Sequence, residues 1–261
     1  MPTAENKGDM KTEPQKETTV EFLASLAGLL VNVFFFFTFV AQTFAIPSGS
    51  MEKTLLVGDH LLVNRESFAP ATRWVGRLLP YHEARRGDPV VFMSPEQPGH
   101  ILVKRVVGIA GDRIHLRDGI VYRNGEKLDE PYTQHILGND GSYPTMYRDN
   151  FPSVPPSLMA GVPNRRWRQE MPKHLQGEDI VVPPDHIFAM GDNRDNSYDC
   201  RYFGFIPQEN LIGQPLFTYW SFETDEYGEN MSWSNQLARA AQMVFHIFDK
   251  TRWERTLKLI R

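Results

Sequence analysis

The chain changes its hydrophobic period three times. Residues 22–51 contain no Asp, Glu, Lys or Arg. The run FLASLAGLLVNVFFFFTFVAQTFAI is long enough to cross a bilayer, which takes about 20 mostly apolar residues. Phenylalanines 34–37 leave no polar face for a helix in water. The pattern predicts a transmembrane signal-anchor helix over 21–46. The uncharged run is longer than the apolar core of a cleaved secretory signal. Residues 1–20 are polar, carry Pro2 and Pro14 and lack aromatics up to the helix, which predicts a disordered cytoplasmic tail. Lys7, Lys11 and Lys16 before the run and Lys53 and Arg65 after it favour an inside N-terminus by a small margin. The rest of the chain is then expected on the outer face of the cell (plasma or inner) membrane.

Beyond residue 46 the period falls to two. The stretches 60–66, 89–93, 101–110, 113–117 and 120–124 are short and rich in Val, Ile and Leu. Gly-Asp or Asp-Gly pairs punctuate them, and Asp118-Gly119 suits a tight hairpin. Strand, turn and strand without intervening helices predict an antiparallel β domain. We place its first part at 47–125 and its second at 179–233, with 210–222 as a last strand pair. Residues 126–178 are rich in proline and polar groups and carry the basic cluster 165–168, which suggests an inserted lobe or long loops. Residues 234–261 change period again. Leu237, Ala240, Ala241, Val244, Phe245 and Phe248 fit a helical stripe among basic residues such as Arg239, Lys250 and Arg255. The expectation is a basic amphipathic helix, lying on lipid or packed on the β core.

Composition narrows the class. The 261 residues carry a net charge of -4, which offers no basic field for nucleic acid. Cys200 is the single cysteine, so no intrachain disulfide can form.

The candidate nucleophile is Ser50, in Ile46-Pro47-Ser48-Gly49-Ser50-Met51 at the end of the uncharged run. A serine hydroxyl needs a base. None of the eight histidines stands in a recognisable Ser-His-Asp setting, and no G-x-S-x-G elbow occurs. A lysine serves instead if burial keeps it neutral. Lys104, inside ILVKRVVGIA, meets that condition, and Arg105 points to the opposite face of the strand. Ser50-Met51-Glu52-Lys53 also matches the S-x-x-K pattern of penicillin-binding proteins. The downstream S-x-N and K-T-G elements are missing, and Pro47 and Gly49 oppose a helix before Ser50. The third element, GDNRDNSYDCRYFGFIP (191–207), is dense in Asp and Arg. It lacks the twelfth-position glutamate of an EF-hand. An Asp–Arg network that pins the loop is the better physical reading, with Ser197 placed to hydrogen-bond the lysine.

Taken together, PSGSM, KRVVGIAGD and the 191–207 motif resemble bacterial type I signal peptidases, which are Ser-Lys membrane endopeptidases. The resemblance runs from residue 44 to 222. It implies a mostly β fold, a catalytic core of coiled antiparallel sheets with a variable lobe. It implies Ser50 as nucleophile and Lys104 as general base, with Ser48 and the Ser50 N–H as the oxyanion hole. Ser197 would orient the lysine, Asp199 and Arg201 would pair in support, and Asp192 and Arg194 would brace the loop. Phe44, Ile46, Met51, Leu55, Ile101 and Val103 match positions lining shallow pockets. The implied substrate is a preprotein with small residues one and three places before the cut, held at the lipid bilayer. No metal or other cofactor is implied, and the family expectation is a monomer. Two positions depart from the pattern. Lys53 stands where the family has proline, and Cys200 where it has serine. Self-cleaving repressor peptidases share the chemistry but lack a membrane segment. A pseudoenzyme would be missing Ser50, Lys104 or Ser197, and all three are present.

Overall fold

The computed structural model describes residues 18–68, 82–135, 146–152, 165–224, 243 and 245–260. The chain divides into two compact units, residues 1–38 and 39–261.

The first unit is built on helix α1, Thr19–Phe35. Thr18 caps it: its hydroxyl accepts from the Glu21 N–H, and the Glu21 carboxylate accepts from the Thr18 N–H. No residue of α1 is buried. A π-helical turn, Phe36–Val40, follows. The chain then enters strand β1, Ala41–Ala45. The helix expected over 21–46 is therefore shorter than the uncharged run. Ala41-Gln42-Thr43-Phe44-Ala45 pairs along strand β2, Asp59–Asn64, and these hydrogen bonds take the last part of the run into a sheet. Among the described residues no helix is long and apolar enough to cross a membrane. Most of the expected tail lies outside the described residues.

The second unit is mostly β. Its main sheet has eight strands, all antiparallel. Besides β1 and β2 these are β3 (Pro89–Met93), β4 (Ile101–Ile109), β10 (His186–Met190), β11 (Ile206–Pro207), β12 (Leu211–Ser221) and β13 (Lys258–Leu259). The order is β1-β2-β12-β3-β4-β10-β11, with β13 on β12. A second sheet takes β5 (Arg113–Arg117), β6 (Ile120–Arg123), β7 (Glu126–Lys127), β8 (Leu175–Gln176) and β9 (Asp179–Val181), ordered β7-β6-β5-β9-β8. It draws strands from both sides of residue 125, so the boundary expected there does not divide the fold. Of the expected lobe, short helices α2 (Met146–Asp149) and α3 (Arg165–Glu170) are also described. The β5–β6 hairpin turns on Asp118 and Gly119, both at positive φ (51° and 78°). That two-residue geometry matches the twist of the strands it joins.

β12 is one strand where the sequence suggested two. Gly213 and Pro215, residue types that commonly interrupt strands, both fit the sheet. A Cβ on Gly213 would stand 2.3 Å from the Asn64 carbonyl oxygen. Pro215 sits at a bulge, where its missing N–H costs no ladder bond. β12 pairs with β2 over its C-terminal part and with β3 over its start.

The C-terminal expectation is corrected as well. Residues 237–242 and 244 of the expected stripe lie outside the described residues, and from Thr251 on the chain runs along the sheet. Thr251 bridges Phe222, Trp253–Arg255 makes a 3-10 turn, and β13 pairs with β12. The physical cause is Asp59, which is fully buried and needs a cation. Arg255 supplies it, its Nε donating to Asp59 Oδ1 at 3.1 Å and its Nη2 donating to the Thr54 carbonyl at 2.9 Å. A continuous helix would leave that carboxylate uncompensated.

Two apolar clusters hold the sheets. The larger packs Val90, Phe92, Ile114, Phe188 and Trp167 between them. The smaller, Ile46, Met51, Leu55, Leu61, Val63 and Val91, lies under the turn that carries Ser50. Each such side chain contributes about 1.5–3 kcal/mol when fully buried.

Candidate active site

Ser50 rides on a 3-10 turn, Gly49–Met51, between β1 and β2. Ile46 and Met51, both buried, nail the two ends of this stretch to the small apolar cluster. Across from it, β4 carries Lys104 into the interior, where the residue is 2% exposed. Lys104 Nζ lies 2.7 Å from Ser50 Oγ and donates to the Val103 carbonyl at 3.0 Å. Burial pulls its pKa down from the ordinary 10.5 to about 8. The nearby Asp199 and Asp192 carboxylates oppose that shift, and Arg201 adds to it. A neutral amine in contact with a hydroxyl is thus within easy reach of neutral pH.

A cleft of about 140 Å³ opens beside the pair. Its lining includes five of the six residues expected at shallow pockets, Phe44, Ile46, Met51, Ile101 and Val103, together with Ala45, Pro47, Ser48 and Leu102. Leu55 is not part of it. That side chain is fully buried in the cluster beneath, where it packs instead of contacting a ligand. Ser48 is exposed and extended just before the turn, and its hydroxyl makes no capping bond. β10 pairs with β4 only from Arg105 onward, so among the described residues Ile101–Lys104 has no strand partner on that side.

The loop after β10 holds the turn from behind. The Asn193 N–H donates to the Ser50 carbonyl at 3.1 Å, and its Nδ2 donates to the Gly49 carbonyl and to Glu52 Oε2, both at 3.2 Å. Gly191 leaves the space for this approach. A Cβ there would stand 2.2 Å from Ser197 Oγ and 2.4 Å from the Ser50 carbonyl oxygen. Ser197 is buried at this point beside the Asp199 carboxylate, and the expected bond from its hydroxyl to Lys104 is not formed. Both bonds of the amine go elsewhere, to Ser50 and Val103.

The expected Asp–Arg network is present and extends beyond the loop. Arg201 and Asp199 form a fully buried two-pronged pair, at 2.9 and 2.8 Å. Asp199 also accepts from the Gly191 N–H at 3.0 Å, and its carboxyl is held low. Asp192 does not pair within the loop. It takes Arg105 from β4 at 2.9 and 2.7 Å, and the Thr54 hydroxyl at 2.6 Å. Arg194 reaches Glu130 at 2.7 and 2.6 Å. Asp195 faces Arg148. Every one of these carboxylates thus faces a guanidinium. Among the described residues no group of His, Cys, Asp and Glu could hold a metal ion.

Sequence reasoning passed over Asn193, Gly191, Arg105 and Glu130. The Gly-Asp-Asn opening of the loop was the only local signal for Gly191 and Asn193, and Arg105 and Glu130 had none, because partners 64 to 144 residues apart leave no spacing to read. Lys53 points away from Ser50. Its backbone is at φ 83° and its Nζ donates to the Pro131 and Thr133 carbonyls at 2.6 and 2.9 Å.

A buried lysine touching a turn-borne serine, beside a shallow apolar cleft on a curled antiparallel sheet, has the chemistry of a hydrolase. Comparison with known proteins makes this specific: the chain belongs to the signal peptidase family, peptidase S26, whose family model matches residues 19–220. It is 32% identical to signal peptidase I of Pseudomonas aeruginosa over 226 residues, 81% of this chain and 76% of that one. It is 30% identical to signal peptidase I of Buchnera aphidicola, covering 83% and 80%. Signal peptidase I of Pseudomonas fluorescens is 33% identical over 77% and 72%.

Proposed function

We propose that this enzyme removes signal peptides from preproteins by Ser-Lys chemistry, with Ser50 as nucleophile and Lys104 as general base. The 2.7 Å contact between a buried amine and the Ser50 hydroxyl carries this reading. Neutral Lys104 takes the hydroxyl proton as Oγ attacks the scissile carbonyl. The Ser50 N–H and the Ser48 hydroxyl stabilise the oxyanion, each such donor being worth about 10²–10³ in rate. The resulting ammonium protonates the leaving amine, and a water molecule deacylates Ser50 with the same lysine as base. Ser197, whose hydroxyl lies beside Gly191 and is not bonded to Lys104 in this state, is placed to take up the amine once Ser50 is acylated. The Asp199–Arg201 pair fixes that wall, and Asp192 and Arg194 brace it through Arg105 and Glu130.

The unpaired Ile101–Lys104 edge of β4 suits an extended substrate chain, which adds to it as a strand. A cleft of about 140 Å³ accepts Ala-sized side chains one and three places before the cut. Cleavage of a preprotein with Ala at both places tests the reading. Wild type should release the signal peptide, and Ser50→Ala should not. Equal cleavage by both would end the proposal.

We further infer anchoring in the cell (plasma or inner) membrane, with the N-terminus cytoplasmic and the catalytic unit outside. The wholly exposed apolar surface of α1 supports this. Seventeen residues rise only about 26 Å. A crossing of the ~30 Å core would therefore have to include the π turn that follows. Resistance of the full chain to alkaline extraction from membranes is the expected result, and release would overturn it.

A further inference from the structure

We propose that Lys53 is a positioning residue that closes a ring of contacts around the nucleophile's turn, an inference that rests on the Ser-Lys reading. The ring starts at Ser50. Asn193 grips the Gly49 and Ser50 carbonyls and Glu52 Oε2. The flanks of Asn193 are tied to Gln134, whose N–H donates to the Asp192 carbonyl at 2.8 Å and whose carbonyl accepts from the Arg194 N–H at 3.0 Å. Gln134 ends the strap 130–134. Within it, Tyr132 lies under the Arg105 guanidinium, 4.0 Å from ring centre to Cζ, and Glu130 pairs with Arg194. Lys53 closes the circuit. It stands three residues after Ser50 and holds the strap by two carbonyls.

The ring is specific to the backbone seen here. Lys53 sits at φ 83°. Proline, the residue of the family pattern at this place, is locked near -65°. It supplies no donor and cannot take this conformation. The lysine therefore replaces a rigid turn by a tether. With the tether cut, the turn and the strap are free to part, the contact between Ser50 and Lys104 loosens, and water reaches the amine. Lys53 is exposed and outside the cleft, so substrate binding should not depend on it.

The experiment compares Lys53→Met, Lys53→Arg and Lys53→Pro in the full chain. It follows preprotein cleavage against pH and the titration of Lys104 by NMR of lysine-labelled protein. Lys53→Met should lower kcat about three- to tenfold with KM unchanged, and raise the Lys104 midpoint by about half a unit or more as water enters. Lys53→Arg, which keeps the donors, should restore both. Lys53→Pro should behave as Lys53→Met or worse. An unshifted Lys104 midpoint in Lys53→Met overturns the proposal, whether or not activity falls. The NMR midpoint is read without turnover, so it stands even if the peptidase reading fails. Failure of that reading would appear separately, as cleavage that survives Ser50→Ala.

Discussion

Lys104 Nζ touches Ser50 Oγ at 2.7 Å, and neither of its two hydrogen bonds goes to a carboxylate. A lysine that bonded a carboxylate directly would be held protonated. This one is desolvated instead, with Asp199 engaged by Arg201. Replacing it should therefore remove the base and leave the fold. Lys104→Met should lower kcat about 10²–10⁴-fold in preprotein cleavage. Its melting temperature should stay at or above that of wild type, because an apolar side chain replaces a buried amine.

The same desolvation sets two pH dependences of known sign. Only the neutral amine accepts a proton, so kcat/KM should rise with pH through about 8. Stability follows a different window. The folded Lys104 loses its proton near 8 and the unfolded one near 10.5, so between these values the unfolded chain holds the extra proton. Raising the pH through that window stabilises the fold, by about 3 kcal/mol in total at 1.36 kcal/mol per unit. Below 8 both states are protonated and the full cost of burying the charge applies. Denaturant titrations of wild type and Lys104→Met at pH 7.5 and 10 check this, and the variant should lack the gain.

The buried pair at Asp199 and Arg201 should move the activity profile in opposite directions. Asp199 raises the Lys104 pKa and Arg201 lowers it. Asp199→Asn should shift the acid limb of kcat/KM downward, and Arg201→Met should shift it upward. Both variants should also lose stability, since breaking a buried pair costs about 3–5 kcal/mol.

Gly191→Ala puts a methyl group where Ser197 Oγ and the Ser50 carbonyl now stand. Both must give way. Small displacements at a reacting atom cost about tenfold to 10²-fold in rate. We expect that loss in kcat, with a smaller change in KM, in steady-state cleavage.

Arg255→Met tests the C-terminal correction. It strips Asp59 of its cation and the Thr54 carbonyl of a donor. Thermal melting should register a loss of about 3–5 kcal/mol. A tail helix free of the sheet would tolerate the change.

The strands were legible because their signals are local, whereas Ser50 and Lys104 were joined only by three motifs taken together. Residues 89–93 and 113–117 show their strands directly, and Lys104 is marked by the aliphatic residues around it. What stayed hidden was settled by distant partners. The basic stripe at 234–261 gave no hint that Arg255 answers Asp59. The strand pair expected over 210–222 is a single strand because Gly213 and Pro215 fit against β2. Leu55 resembled a cleft residue by position in a motif, whereas packing under the turn decides its place. Asp192 and Arg194 were read as braces within the loop, yet Arg105 and Glu130, each more than 60 residues away, hold them.

β12 lies between β2 and β3 in the main sheet, although it comes last of the three in the chain. The strands flanking the serine are on one side of it and the strand bearing the lysine is on the other. The first 200 residues thus contain both Ser50 and Lys104 but not the strand that joins their two halves of the sheet. The contact between Ser50 and Lys104 therefore depends on residues 211–221, which lie more than 100 residues beyond either of them in the chain.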